Sequence, residues 1–319
     1  ALTRFGNLGV DYFFVLSGFV ILHAHAADIG RPGRLAEYLG RRALRLFPIY
    51  WILSAVFVLA QALAGDHGVD TLSPVGWLQA VFLLRFTSEA LPLPVAWTLI
   101  HEVAFYGVFG LAVLDRRIGL ALLGAWAAVC LWRLQYPTVE GRTPFDVYTA
   151  GYNLNFILGM SAWMAWRRLP WPWAALGLPC GVGVLTVAIR AGEGHALAST
   201  DPLLFAVGFA ALICGLAACE RAKRVKVPLI LALIGNASYA IYLVHEAIMF
   251  AVTKLIAPAL APEGFARAFA YLAILSLAVC SGVAVHLCVE QPLIRVLKAR
   301  LASRLQQSEI RRAARPIRV

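Results

Sequence analysis

The residues best suited to chemistry are a carboxylate and an imidazole in the middle of an apolar run. Glu102 and His101 lie within residues 94–114, a run long enough to cross a bilayer. A central acid costs roughly 2.5–3.5 kcal/mol on insertion scales, so an ionisable side chain there indicates function by default. On a helix, Thr98 and Tyr106 share the face of Glu102. Their hydroxyl groups can hold a buried carboxyl neutral or poise it as a base, and the alternative is a structural anchor between helices.

The composition predicts a membrane protein. Of the 319 residues, 61% are hydrophobic and 14% are charged, and the mean hydropathy is +0.76. A soluble domain of this size cannot bury so much apolar surface. Because backbone amides in lipid must be paired within each segment, the apolar runs should be α-helices. We therefore predict an all-α fold, a polytopic transmembrane helical bundle.

Nine apolar runs have the length of a membrane span, which is about 20 residues. These predicted spans are 9–27, 44–64, 95–114, 118–136, 148–166, 172–190, 202–219, 228–252 and 266–290. Lys and Arg cluster in alternate loops, as the positive-inside rule expects of cytoplasmic loops. All of these basic clusters face the cytoplasm only if residues 75–93 do not cross the membrane. We therefore predict a re-entrant or interfacial segment at 75–93, on the outer side.

The net charge of +11 does not indicate nucleic-acid binding, because the basic residues lie between apolar runs and in the tail 299–319. The six cysteines lie in or beside apolar runs and lack the spacing of metal ligands. Neither a phosphate-binding glycine loop nor a nucleophile elbow occurs. Metal chemistry and nucleotide hydrolysis are therefore not supported, and the tail is interpreted as a solvated cytoplasmic arm near lipid headgroups.

Five motifs follow one another along the chain. They are GVDYFFVLSGF at 9–19, RRALRLFPIYW at 41–51, WTLIHEVAFY at 97–106, GNASYAIYLVH at 235–245 and EQPL at 290–293. The series resembles the acyltransferase-3 family of membrane-bound bacterial acyltransferases, and its details resemble the exopolysaccharide-modifying branch. The resemblance covers nearly the whole chain and assigns residues 1–298 to one integral-membrane acyltransferase domain.

The resemblance implies an O-acyltransferase of the bacterial inner membrane. Such an enzyme moves an acyl group, commonly acetyl, from acyl-coenzyme A on the cytoplasmic side to a carbohydrate hydroxyl. The acceptor would be a cell-surface, exported or lipid-linked glycan, and no metal is expected. Two other functions stay open: a proton-coupled transporter or flippase with an Asp-Glu-His relay, and an inactive partner of a polysaccharide export system.

The family pattern includes a further first span that carries a basic residue and a His. Residues 1–8 are too few to hold that span. We therefore expect ten spans in the full protein and interpret this chain as a fragment, with a naturally inactive protein as the alternative. The missing His would be the base or transient acyl carrier, and Glu102 would orient it or shuttle protons.

The family motifs nominate four catalytic candidates, which are Glu102, Asp11, His245 and Tyr106. Asp11 could orient a His or pair with a cation, or it could be an interfacial cap. His245 could be catalytic or a satisfied core histidine. Ser17 and Gly18, in the same motif as Asp11, are expected to allow close helix packing, with a nucleophile as the alternative.

The arginines at 41, 42 and 45 are candidates for binding the donor. Arg41, Arg42 and Arg45 hold the helix at the cytoplasmic face in the simplest interpretation. Their guanidinium groups also suit the phosphates of coenzyme A. Glu290 could pair with this cluster. Together the polar residues predict a through-membrane cavity, with coenzyme A bound inside and the sugar near the outer face.

Overall fold

The computed structural model describes residues 8–63, 72–136, 143–193, 201–256 and 265–300. Within these ranges the chain is helical or loop, and no strand occurs. The helices are α1 (Leu8–His25), α2 (Leu35–Leu63), α3 (Pro74–Phe82), α4 (Trp97–Leu114), α5 (Arg116–Arg133), α6 (Pro144–Tyr148), α7 (Tyr152–Arg168), α8 (Trp171–Ala175), α9 (Gly177–Glu193), α10 (Asp201–Arg221), α11 (Leu229–Asn236), α12 (Ser238–Ile256) and α13 (Phe265–Val285). The predicted all-α fold is confirmed for the described residues.

Six of the helical segments are long and apolar enough to cross a membrane, and a seventh is a bent pair. The six are Leu8–Asp28, Pro32–Leu63, Pro94–Leu114, Trp171–Arg190, Leu203–Arg221 and Phe269–Arg300. Two of the nine predicted spans are not among these candidates. The helix α5 carries three arginines in 18 residues, and α7 has 17 residues. The protein is a multi-pass membrane protein, and nine spans stays a prediction.

Many large apolar side chains point outward from these helices. Leu63 is 81% exposed, Phe269 73% and Leu275 61%. Soluble monomers rarely leave contiguous apolar patches of such extent uncovered. The exposed side chains therefore fit a protein whose helices are surrounded by lipid.

The segment predicted to be re-entrant or interfacial begins with a short helix and continues as a loop. The helix α3 has nine residues, which span only about 14 Å at 1.5 Å per residue. The side chain of Gln79, in α3, is fully buried and holds the loop that follows through hydrogen bonds. The Gln79 amide oxygen accepts hydrogen bonds from the backbone N–H groups of Phe86 and Thr87, both at 3.0 Å, and its Nε2 donates to the Glu89 carbonyl at 3.1 Å. The segment is too short to cross as one helix.

The helices fall into two compact units. The first unit comprises residues 1–39 and 71–226, and the second comprises residues 40–70 and 227–319. In the first unit, α1 packs along α7, α10 packs along α9 and α7, and α4 packs against α5. In the second unit, α12 packs along α13.

The pair α4 and α5 is joined by a single residue. Asp115 has extended backbone dihedrals, and its Oδ1 accepts from the N–H groups of Arg117 at 2.8 Å and Ile118 at 2.9 Å. Capping by an aspartate satisfies donors that the first turn leaves unpaired. Gly119 allows the close return, since a Cβ there would lie 2.0 Å from the Ala112 Cα. The sequence thus dictates a tight helical hairpin after α4.

A capping box starts the short helix α6. Thr143 Oγ1 accepts from the Asp146 N–H at 3.2 Å and donates to Asp146 Oδ2 at 2.7 Å. Arg133 donates to Asp146 Oδ1 at 2.6 Å. The hydrogen bond from Thr143 and the charge of Arg133 lower the pKa of the Asp146 carboxyl below its ordinary value. The ionised carboxylate is therefore the form that the folded protein favours.

The lowered pKa of Asp146 predicts a pH-dependent contribution to stability. A depressed carboxyl pKa stabilises the fold above the ordinary Asp pKa, and this stabilisation is lost as the pH falls through the folded value. Asp146→Asn should therefore lower the Tm at pH 7 and have a shrinking effect below about pH 4. Intrinsic fluorescence of the protein in nanodiscs measures both Tm values across pH. A Tm difference that does not change with pH would contradict the role of the ionised carboxylate.

Candidate active site

Glu102 lies on the buried face of α4. Two prolines, Pro92 and Pro94, precede this helix, and Pro94 opens the single turn that leads into it. Proline suits a first helical turn because its missing N–H would be unpaired there. Glu102 is 4% exposed and Tyr106 7% exposed, and the Tyr106 hydroxyl donates a hydrogen bond to Glu102 Oε1. The structure therefore places a buried carboxyl beside a phenol that can hold or release a proton.

Asp11 is also buried, on α1. It is 4% exposed, and its Oδ1 accepts from Asn155 Nδ2 of α7 at 2.7 Å. A buried carboxylate needs such a partner to offset its desolvation. The contact joins α1 to α7, so Asp11 is a buried group between two helices. Sequence reasoning missed Asn155, although an amide inside an apolar helix is the same signal that singled out Glu102.

His101 is the second buried polar group on α4. Its Nδ1 lies 2.9 Å from the Asn153 amide oxygen. The Asn153 Nδ2 donates to the carbonyls of Val147 and Tyr148, both at 3.1 Å, which fixes the orientation of the amide. Since the amide oxygen only accepts, Nδ1 of His101 is the donor. The sequence singles out His101 without placing it among the four catalytic candidates, and Asn153 is not nominated.

His245 lies in the second unit, on α12. Its Nδ1 donates to the Tyr242 carbonyl at 2.5 Å, and its ring packs on the Tyr242 ring at 5.5 Å between centroids. The side chain is half-buried. Its Nδ1 is thus held by its own helix, which leaves Nε2 as the nitrogen available for chemistry.

A sharp bend precedes the helix that carries His245. The axes of α11 and α12 differ by 69° at Ala237, within the predicted span 228–252. Asn236 and Ser238 flank the bend with side chains that favour helix ends over helix interiors, and a span over 228–252 stays a prediction. After the break, the Tyr239 hydroxyl donates to the Leu46 carbonyl of α2 at 2.8 Å.

Three arginines lie near the start of α2. Arg41 and Arg45 are exposed and Arg42 is half-buried. On a helix, the spacing of four places Arg41 and Arg45 on one face. Pro48 follows inside the helix and removes one backbone N–H donor. Arg45 is exposed, and a guanidinium group in such a position is suited to an oxyanion in solvent.

Glu290 has a different partner from the predicted one. Its Oε2 lies 2.6 Å from His286 Nδ1, and Gln291 Nε2 lies 3.0 Å from His286 Nε2. Residues His286–Glu290 form a π-helical turn. The wider turn lets residues four and five positions later both meet the imidazole, which a regular α-helix does not allow. Glu290 therefore orients His286 within the second unit.

Comparison with known proteins identifies the family. A family model described as "Acyltransferase domain" matches residues 1–287. The chain belongs to this acyltransferase family. It is accordingly an acyl-transferring enzyme, and the resemblance seen in the five motifs is confirmed.

Named relatives of this acyltransferase cover most of its length. It is 31% identical over 313 residues to the exopolysaccharide production protein ExoZ of Rhizobium meliloti (strain 1021), covering 92% of each chain. It is 26% identical over 342 residues to the acyltransferase MdmB of Streptomyces mycarofaciens, covering 94% of this chain and 84% of that one. Nodulation protein 10 of Rhizobium leguminosarum bv. viciae is 26% identical over 193 residues, which cover 52% of this acyltransferase and 50% of the relative. No solved structure matches the chain.

Proposed function

We propose that this acyltransferase moves an acetyl group from acetyl-coenzyme A to a hydroxyl of a cell-surface or exported carbohydrate. In the net reaction the thioester C–S bond breaks and a C–O ester bond forms. The proton of the sugar hydroxyl ends on the thiol of coenzyme A. The exopolysaccharide production protein among the relatives supports a carbohydrate acceptor.

The observation that carries this proposal is the buried pair of Glu102 and Tyr106. A carboxylate that accepts the Tyr106 hydroxyl proton in a hydrogen bond is a ready acceptor for the proton of an attacking hydroxyl. The pair lies in the first unit, within residues matched by the family model. A structural anchor would need only an amide or hydroxyl, without the cost of burying an acid.

The membrane arrangement in this proposal follows the charge of the loops. Arg and Lys near the ends of the candidate spans put the arginines at 41–45, and hence donor binding, on the cytoplasmic side of the inner membrane. The helix α3 lies in the outer interface, with the exposed Trp77, Leu78 and Phe82 toward lipid and the buried Gln79 toward protein.

Arg45 provides a test of donor binding. Arg45→Gln should raise the KM for acetyl-coenzyme A by about 10- to 100-fold, the value expected for one lost charge-assisted hydrogen bond. The donor KM of Arg45→Lys should lie between those of the wild type and Arg45→Gln, because an ammonium keeps the charge but lacks the planar fork of the guanidinium. Initial rates of transfer in membranes measure both. Arg295→Gln, an exposed arginine near the end of the chain, is the matched control. A donor KM unchanged in Arg45→Gln would remove this arginine from the donor site.

Transfer itself is tested with labelled donor. Membranes from cells with and without the protein are given acetyl-coenzyme A labelled in the acetyl group, and the polysaccharide fraction is collected. We expect label in polysaccharide only with the protein present, and its release by mild alkali, as for an O-ester. Good expression with unlabelled polysaccharide would overturn the proposal in favour of a transporter or an inactive partner subunit.

A further inference from the structure

Three rings meet at the start of α4 and α7. Trp97, His101 and Tyr152 contact one another with centroids 5.6–6.2 Å apart, each pair edge to face. Phe14 of α1 packs against His101, with 5.7 Å between the ring centroids. Exposure falls from 39% at Trp97, through a half-buried Tyr152, to 4% at His101. The cluster is thus exposed at Trp97 and buried at the imidazole.

The imidazole at the buried end of this cluster has one nitrogen left for a ligand. Asn153 holds Nδ1 as the donor, so in the neutral ring Nε2 carries a lone pair. Among the described residues the structure gives Nε2 no hydrogen-bond partner. The acceptor nitrogen of a ring in such a buried position favours a ligand hydroxyl or a water molecule as its partner.

We infer that Trp97, Tyr152 and His101 form a carbohydrate subsite, which binds one pyranose ring of the acceptor. This inference rests on the proposed function. The apolar face of the sugar packs on the exposed Trp97 ring and the half-buried Tyr152 ring, and one sugar hydroxyl donates to His101 Nε2. Mostly aromatic walls with a few fixed polar groups are the usual composition of small-ligand sites.

The aromatic cluster and Glu102 belong to the same helix. Glu102 is the next residue after His101 on α4, and both are buried. Adjacent residues on a helix do not share a face, so the two side chains leave α4 in different directions. Asn153 is a positioning residue, because it acts only by orienting His101.

The inference is tested by binding and by kinetics. The protein is placed in nanodiscs, since glycoside detergents would compete, with oligosaccharides released from the exopolysaccharide of the host. Saturation-transfer NMR should show contact with ring C–H protons for wild type. Trp97→Ala should abolish that signal, and Trp97→Phe should retain it. In the transfer assay, Trp97→Ala should raise the acceptor KM about tenfold and leave the donor KM unchanged. Trp173→Ala, a 66% exposed tryptophan on α8, is the matched control.

The outcomes separate this inference from the proposed function. Binding that depends on Trp97 without any acyl transfer would support the subsite and overturn the acyl transfer. Transfer with an acceptor KM unchanged in Trp97→Ala would support the transfer and overturn the subsite. A lower Tm in Trp97→Ala with unchanged KM and NMR signals would show an interfacial anchor, which also overturns the subsite.

Discussion

Glu102→Gln is expected to lower kcat for acyl transfer by about 10²- to 10⁴-fold, the usual contribution of a positioned acid or base. The glutamine amide has nearly the same size and can still accept the Tyr106 hydrogen bond through its oxygen. It cannot take up a proton. The substitution therefore removes the proton acceptor while leaving the packing of α4 in place, and transfer of labelled acetyl to polysaccharide measures the loss.

The matched control is Glu220→Gln, an exposed glutamate on α10. It should leave the transfer rate unchanged. Tyr106→Phe removes the hydroxyl that binds Glu102 and should lower kcat less than Glu102→Gln, since the carboxylate remains. If Glu102→Gln keeps the wild-type kcat and Tm, Glu102 takes no part in proton transfer. If it lowers Tm and leaves kcat unchanged, the structural-anchor alternative holds.

The contact between Glu102 and Tyr106 can be predicted from the sequence because it is local. The two residues are four positions apart, and helical geometry alone places them together. The hydrogen-bond partners of Asp11 and His101 cannot be predicted from the sequence, because these contacts are not local. They lie 144 and 52 residues away along the chain, on a helix whose packing no single sequence reveals.

The bend at Ala237 marks a second limit of the sequence. Hydropathy averages over a window and counts residues 228–252 as one apolar run, so it has no term for a change of direction. The local signal was present in Asn236 and Ser238, whose side chains compete with the helix backbone for hydrogen bonds. The same averaging counted α5 and α7 among nine spans. These two helices have 18 and 17 residues, which is the lower end of the length of a span, and nine spans stays a prediction.

The packing role predicted for Gly18 is confirmed, and it leads to a large expected effect on stability. A Cβ at Gly18 would lie 2.0 Å from the Phe156 carbonyl oxygen, and a Cβ at Gly159 would lie 1.9 Å from the Val15 carbonyl oxygen. Each glycine thus receives the backbone of the opposite helix. Gly18→Ala should destabilise the protein by about 1–3 kcal/mol or more, because neither backbone can move aside without its whole helix. The Tm in nanodiscs measures this.

Gly107→Ala is the matched control, since that glycine also lies inside a helix and a Cβ there meets nothing within 4 Å. Its Tm should equal or exceed that of wild type, because alanine is the better helix former. Gly18→Ala should also reduce transfer, as separating α1 from α7 pulls Asn155 from the Asp11 carboxylate. Equal Tm values for the two variants would show that α1 and α7 pack less closely than these distances state. In that case close packing of α1 on α7 would no longer explain how Asn155 is held against the Asp11 carboxylate.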